Sequence, residues 1–331
     1  MKNKISNDTR ITGTPFEGPL LLERACASGK HRMRVSRNFA VLVLIFLSVP
    51  ILSAQDKKPA NDAAAPPNVV LLVNQDFPAG KAAERQKFLV NISRACDRLG
   101  APSYWIDLQS LTGTQQAISF DPFDSYEQVG QANAEWRPFF AAHPDLARMQ
   151  DGIDALLLNQ RTSIAVRRDD LGYLAEAIDL SEARYMRVRE IHLFPGHEND
   201  AAEAFKILAD AYAKIQADTP WVVYEVNVGM PSPTFVVFLP MSELRQNDDL
   251  LAWNLDLMEA EGEQGRETLQ RIAREAYATT ESNLYAVSPE MSHVSKDFAG
   301  ADPDFWLHHE APDAKPDPKP DPKATAKRSN K

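Results

Sequence analysis

Between Asn68 and Met291 the chain is written twice, and this repeat constrains the fold more than any other feature. Residues 102–125 lie on residues 220–243 at a constant offset of 118, without gaps. Pro102 meets Pro220, Phe120 meets Phe238 and Pro122 meets Pro240. Asp107 meets Glu225, Gln109 meets Asn227 and Ile118 meets Val236. Upstream, Phe77-Pro78-Ala79-Gly80 answers Phe194-Pro195-Gly196; near the ends, Ser163 to Val166 answers Leu284 to Val287. Each match is weak alone, and their shared order is the signal.

Each half reads strand, helix, strand, strand, helix, strand. In the first half, Val69 to Val73 is an apolar run ended by a Pro-Ala-Gly turn. Phe88, Ile92, Cys96 and Leu99 then recur at helical spacing, and Gly100-Ala101-Pro102 stops that helix. Ser103 to Gln109 and Gln116 to Phe120 follow as strands, and Asp124 with Glu127 resembles a helix-starting pair. In the second half the strands are Arg187 to Phe194, Trp221 to Val228 and Thr234 to Leu239. Helical spacing returns over Asn199 to Ile215 and again around Leu269 to Tyr277.

The βαββαβ order is that of a ferredoxin-like unit. One such unit carries its helices on one sheet face and leaves the other bare, and a bare apolar face needs cover. Two units in one chain can cover each other. The expected fold is therefore α+β: two tandem ferredoxin-like units, residues 68–166 and 184–291, joined by a linker at 167–183 and forming a pseudo-symmetric α/β barrel. The duplication lets one chain supply both halves, so a monomer with an internal pseudo-dimer is expected.

The stretch Val188-Arg189-Glu190-Ile191-His192-Leu193-Phe194-Pro195-Gly196-His197 resembles the first-strand pattern of NIPSNAP-type and related dimeric α/β-barrel proteins. Val188, Arg189, Leu193, Pro195, Gly196 and His197 fit that pattern, and Ile191 stands where an aromatic residue is usual. The first half keeps only Pro78, Gly80 and Lys81 of the turn and lacks the arginine. The motif spans about ten residues, while the architecture covers most of residues 68–291. The resemblance implies the barrel fold. Its superfamily includes cofactor-free monooxygenases, haem-degrading enzymes and proteins of no known activity, so the resemblance names no single reaction.

The flanks carry an address rather than a fold. Arg32, Arg34 and Arg37 precede a largely apolar stretch of fourteen residues, Phe39 to Leu52, which Ser53-Ala54-Gln55 closes. Basic start, short apolar core and small-residue end read as a secretory signal peptide, too short for a membrane span of ~20 residues. Met33 opens that pattern, so the start could be Met1 or Met33. Export with cleavage of a leader at 1–54 is expected, with a periplasmic or extracellular destination and no lasting membrane anchor. Residues 55–67 read as a polar linker, and 292–331 as an extension ending in a disordered tail with repeated Pro-Asp-Pro-Lys. Past the leader, 28 basic residues stand against 43 acidic ones, which argues against a nucleic-acid partner. Cys96 is the one cysteine left there, and its place on an apolar helical face reads as a buried thiol.

Strand alternation places a candidate site. Trp105, Asp107 and Gln109 share one face of their strand, and Glu225 and Asn227 share one face of the matching strand. With Tyr104, Ile106 and Leu108 turned to the helices, the polar row points between the units, where Arg187 and Arg189 on one face of their strand, or Glu190 and His192 on the other, complete a polar pocket. Which face of the Arg187–Phe194 strand turns inward is left open, because both are equally apolar. Asp107, Glu225 or His192 would be the base of any proton transfer there. The competing reading is a structural ion-pair network.

No G-x-S-x-G elbow, phosphate-binding Gly-rich loop or H-E-x-x-H pattern occurs. His308-His309 cannot supply a rigid metal geometry alone, so no metal site is expected. A haem would need an axial histidine such as His143 or His192, and nothing else in the sequence supports one, so no cofactor is expected. The leading expectation is an exported protein that binds a small molecule between its units. A cofactor-independent monooxygenase- or isomerase-like enzyme, and a filled structural barrel, are the alternatives.

Overall fold

A computed structural model describes residues 64–307. The signal-peptide pattern, the residues up to 63, His308-His309 and the Pro-Asp-Pro-Lys tail lie outside the described residues. The first half runs β1 (Val69–Asp76), α1 (Ala82–Leu99), β2 (Trp105–Ser110), β3 (Gln116–Phe123), α2 (Tyr126–Ala142), α3 (Pro144–Asp154) and β4 (Asn159–Arg167). The second runs β5 (Tyr185–Leu193), α4 (Glu198–Lys214), β6 (Val222–Val228), β7 (Thr234–Met241), α5 (Gln246–Ala252), α6 (Asn254–Glu275) and β8 (Tyr277–His293). Two short helices follow, α7 (Lys296–Ala301) and α8 (Pro303–Trp306).

Local chemistry sets most boundaries. Gly100 ends α1 with φ of 69°, a left-handed conformation that costs glycine little. Ser125 caps α2, accepting from the Gln128 amide, while Gln128 Oε1 accepts from the Asp124 amide at 2.9 Å. The pair is shifted by one residue from the Asp124–Glu127 pair the sequence suggested, and Gln128 reaches one residue beyond the N-cap, to the Asp124 amide, where a capping box would bond the cap itself. The single late helix expected in each half is two helices. In the first half Pro144 stands at the break, since it cannot donate to the preceding turn.

All eight strands pair antiparallel and close into one barrel, in the order β1-β3-β2-β8-β5-β7-β6-β4. Within the first half the order is β4-β1-β3-β2, and within the second β8-β5-β7-β6, the same arrangement. Two seams join the halves: β2 with β8, and β4 with β6. Closure leaves no open sheet edge in the barrel.

The barrel interior is apolar over most of its length. Ile106 and Leu108 of β2, Ile118 and Phe120 of β3, and Tyr224 and Val226 of β6 turn into it and belong to one buried cluster. Phe120, Tyr224 and Phe238 meet edge-to-face there, with centroids 5.3–6.3 Å apart. The Tyr224 hydroxyl donates to the Pro67 carbonyl at 2.9 Å, and burial pushes its pKa well up. One end of the barrel is stoppered by Ile178, Leu180, Phe298 and Trp306, whose indole donates to the Ser181 carbonyl at 2.8 Å. The first residues after β8, expected as part of an extension, thus belong to the core.

The helices cover the outer faces. α1 and α3 enclose Ile92, Cys96, Trp105 and Ile153, and α4 with α6 enclose Phe205, Trp221, Phe235 and Ile272. Cys96 is a buried free thiol whose pKa is pushed up to about 12 by burial, so it is unreactive at neutral pH.

Candidate functional site

The expected inter-sheet pocket is not formed where the alternation placed it. Trp105, Asp107 and Gln109 turn outward, toward the helices, and Ile106 and Leu108 turn into the barrel. The assignment of the two faces was inverted. A closed barrel interior is the driest surface this chain has, so it takes the apolar row. Asp107 meets Arg85 of α1, with Nη2 to Oδ2 at 2.7 Å, and both side chains are buried. The Gln109 amide donates to Asp107. The Trp105 indole donates to the Met291 carbonyl at 2.8 Å. Glu225 also faces outward, paired with Arg168 at 2.5 Å, and Asn227 is exposed. Arg189 and His192 lie on opposite faces of β5, Arg189 outward and His192 inward. The structure therefore divides the expected set among four places.

The outer face of the first half has a pH consequence. Asp121 of β3 points to the same side as Asp107, and burial raises its pKa from 3.8 to about 7; the Ser119 hydroxyl, donating at 2.6 Å, opposes that rise. A carboxyl with a higher pKa folded than unfolded binds its proton more tightly in the native state. Its stabilising effect is complete below about pH 4 and is lost as pH rises through about 7. Urea unfolding should show stability falling by about 3 kcal/mol between those limits, at ~1.4 kcal/mol for each unit separating the two pKa values. Asp121→Asn should flatten this slope; an unchanged slope would assign it to another group.

The second half holds a cavity of about 580 Å3 between the outer face of its sheet and helices α4, α5 and α6. Its walls are mostly apolar, with Phe205 and Leu208 of α4, Trp221, Val237 and Leu257, and Asn247, Asn254 and Asn283 add amides at its border. Arg187 and Arg189 of β5 enter the same space. Their Nε atoms donate to Ser282 Oγ at 3.2 Å and Thr280 Oγ1 at 3.3 Å, which orients both guanidiniums. No aspartate or glutamate lines this cavity, and neither arginine is ion-paired among the described residues. Tyr212 and Tyr277 sit alongside; burial raises both phenol pKa values, opposed by Arg187 and Arg189 at Tyr212 and by Arg189 at Tyr277.

No protein-family model matches this chain, and no curated protein matches it. Solved structures of similar arrangement do exist. An anthrone oxidase-like protein matches at 12% identity and a TM-score of 0.46, over 68% of this chain and 93% of its own. A mutant chlorite dismutase from Candidatus Nitrospira defluvii matches at 8% identity and a TM-score of 0.42, over 69% and 95%. A heme-binding protein from Thermus thermophilus matches at 13% identity and a TM-score of 0.39, over 67% and 91%. The likeness concerns fold alone; the eight-stranded closed barrel rests on this chain's own strand pairing.

Haem can be tested against the residues themselves. The cavity lining offers no histidine, cysteine or methionine as an axial ligand. Its two phenols are held protonated by burial. His143 stands at the α2–α3 corner against Phe139, and His192 faces the barrel interior, so neither reaches this cavity. The lining does not fit a haem. Among the described residues, no group of three histidine, cysteine, aspartate or glutamate side chains is arranged to hold a metal ion.

The sequence reading missed the cavity itself. Arg187 and Arg189 were visible as a pair of cations on one strand face. The usable signal was their isolation: they are two residues apart on one face, with Ile191 and Leu193 continuing the row.

Proposed function

We propose that this is an exported small-molecule-binding protein of the dimeric α/β-barrel type, NIPSNAP-like and built from two tandem ferredoxin-like units. Its ligand is an amphipathic organic anion, held between β5 and helices α4 to α6. One observation carries the reading: two guanidiniums face an apolar cavity that has no carboxylate, in a chain of net charge -10. Two uncompensated cations at the wall of an apolar space are costly unless an anion answers them. Guanidinium forks suit carboxylate, sulfate or phosphate heads, and the apolar wall suits an aliphatic or aromatic body. The volume lies within the ~300–1,000 Å3 usual for small-ligand sites. Arg189 belongs to the NIPSNAP-like motif, and its place in this cavity supports that kinship. The doubled chain supplies both halves of the barrel, which supports a monomer.

Titration calorimetry with decanoate and decanol tests this reading. Decanoate should bind at least about tenfold more tightly, the scale of one charge-assisted hydrogen bond. The double variant Arg187→Met/Arg189→Met should erase the difference while keeping the cavity apolar. Equal affinity of the two probes for the unaltered protein would sink the proposal.

A further inference from the structure

The open end of the barrel holds a second cavity of different chemistry. The inward rows that are apolar deeper in the barrel turn polar here: Val70 and Leu72 give way to Asn74 and Asp76, and Met186 and Val188 to Glu190 and His192. The space, about 320 Å3, is bounded by Asp76 of β1, Arg161 of β4, Glu190 of β5, and Glu281 and Tyr285 of β8. Three carboxylates thus face one guanidinium. Asp76 and Glu281 receive neutral donors, from the Asn159 amide at 3.4 Å and the Asn283 amide at 2.7 Å. The Glu190 carboxylate has the His192 ring beside it, with Nε2 3.7 Å from Oε2, and among the described residues no hydrogen-bond donor is recorded on it.

The histidine contributes a further acceptor. His192 Nδ1 lies 2.6 Å from Thr234 Oγ1, and the Thr234 hydroxyl spends its single proton on the Pro231 carbonyl. The hydroxyl oxygen must therefore accept from the ring, so Nδ1 carries the proton and Nε2 keeps its lone pair toward Glu190. Burial, followed by the nearby Arg161, lowers the His192 pKa and keeps the ring neutral. Two more inward-facing polar atoms lack a partner among the described residues. Asn74 Oδ1 lines the space, and Ser163 Oγ lies one step deeper than Arg161 on the same inward row. Both are buried without a hydrogen-bond partner among the described residues, and Ser163 is 1% exposed. Buried polar atoms without partners are rare in native proteins and call for a bound group. Burial, then Glu281, raises the Glu190 pKa, which agrees with a surplus of negative charge.

We propose that the barrel mouth is a binding site for a small organic ammonium ion, recognised by Glu190, Glu281 and Asp76 with Asn74 Oδ1 and His192 Nε2 as neutral acceptors. An ammonium brings one positive charge and several N–H donors to a space that has acceptors in excess. The volume equals that of roughly ten waters, enough for a ligand of a few carbon atoms and too small for a folded partner. The carboxylates of this site face the barrel interior and none lines the amphipathic cavity; Asn283 borders both spaces.

Calorimetric titration of the whole chain with butylammonium at pH 8 tests this, with 1-butanol, acetate and potassium ion as controls. Butylammonium should bind saturably and each control at least about tenfold more weakly. Glu190→Gln should weaken butylammonium about tenfold, the scale of a charge-assisted contact. Arg161→Gln should have the opposite sign and tighten binding several-fold, because it removes the one competing cation; Arg161 is exposed, so this variant should fold. Arg187→Met/Arg189→Met should leave butylammonium affinity unchanged. No saturable binding, equal binding of butanol, tighter binding of potassium, or weaker binding by Arg161→Gln would each overturn the proposal.

Discussion

Replacing Arg85 by alanine should destabilise the protein by about 3–5 kcal/mol, the usual cost of stranding one member of a buried ion pair. Arg85 and Asp107 are 1% exposed and make a two-pronged contact, at 2.7 Å and 3.3 Å. The guanidinium also donates twice to Gln75 Oε1, at 3.1 Å and 2.9 Å. The backbone amide of Asp107 donates to Ser292 Oγ at 2.9 Å, so one network ties α1 and β1 to the β2–β8 seam. Truncating Arg85 leaves a buried carboxylate with only the Gln109 amide as side-chain donor. The double variant Arg85→Met/Asp107→Leu should recover most of the loss, because it removes both charges and keeps the volume. Urea unfolding of the two single variants and the pair measures this. A pair no more stable than Arg85→Ala would show that packing, not charge, sets the cost. Asp107 is then a structural residue, and its loss should leave binding in either cavity unchanged once the protein is folded.

Gly229→Ala is expected to cost about 3 kcal/mol, combining backbone strain with overpacking. Gly229 opens the β6–β7 turn with φ of 98°, a conformation that side-chain-bearing residues rarely adopt. An added Cβ would sit 2.6 Å from Ser163 Cα and closer still to the Thr162 carbonyl oxygen. Both neighbours are backbone atoms of β4, so no side chain can swing away. The clash falls on the β4–β6 seam, where the register already shifts beside Val228. Opening this seam would expose the barrel interior, so the variant should lower the unfolding midpoint and raise amide exchange along β4 and β6 together. Loss of stability without faster exchange on those strands would place the damage in the turn alone.

The doubled strand order was legible because the repeat preserves spacing. Helix Glu198–Lys214 falls within a residue of the window Asn199 to Ile215 that its apolar periodicity marked, and helix Ala82–Leu99 ends where Gly100 was read as its stop. Alternation in β2 and β6 also identified correctly which residues share a face. It could not say which face is inside. A sheet with helices on one side and a second sheet on the other has two apolar environments, and polarity alone does not rank them. Arg85 was an available clue. It stands in the apolar stripe of α1 with Phe88, Ile92 and Cys96, and a cation there needs a buried carboxylate opposite.

β5 shows most clearly what alternation leaves undecided. Its inward row is apolar at Met186 and Val188, then polar at Glu190 and His192. Its outward row is polar at Arg187 and Arg189, then apolar at Ile191 and Leu193. Each face is half apolar, so hydropathy alone assigns neither to the interior. The two polar stretches reach different cavities only because the barrel closes around one and α4 to α6 cover the other. By itself, the sequence determined a repeated α+β chain with alternating strand faces, because spacing and periodicity are local properties. The tertiary structure decided which side of each strand is inside, because that depends on seams between β2 and β8 and between β4 and β6. Those seams join strands far apart in sequence, and no local pattern reports them.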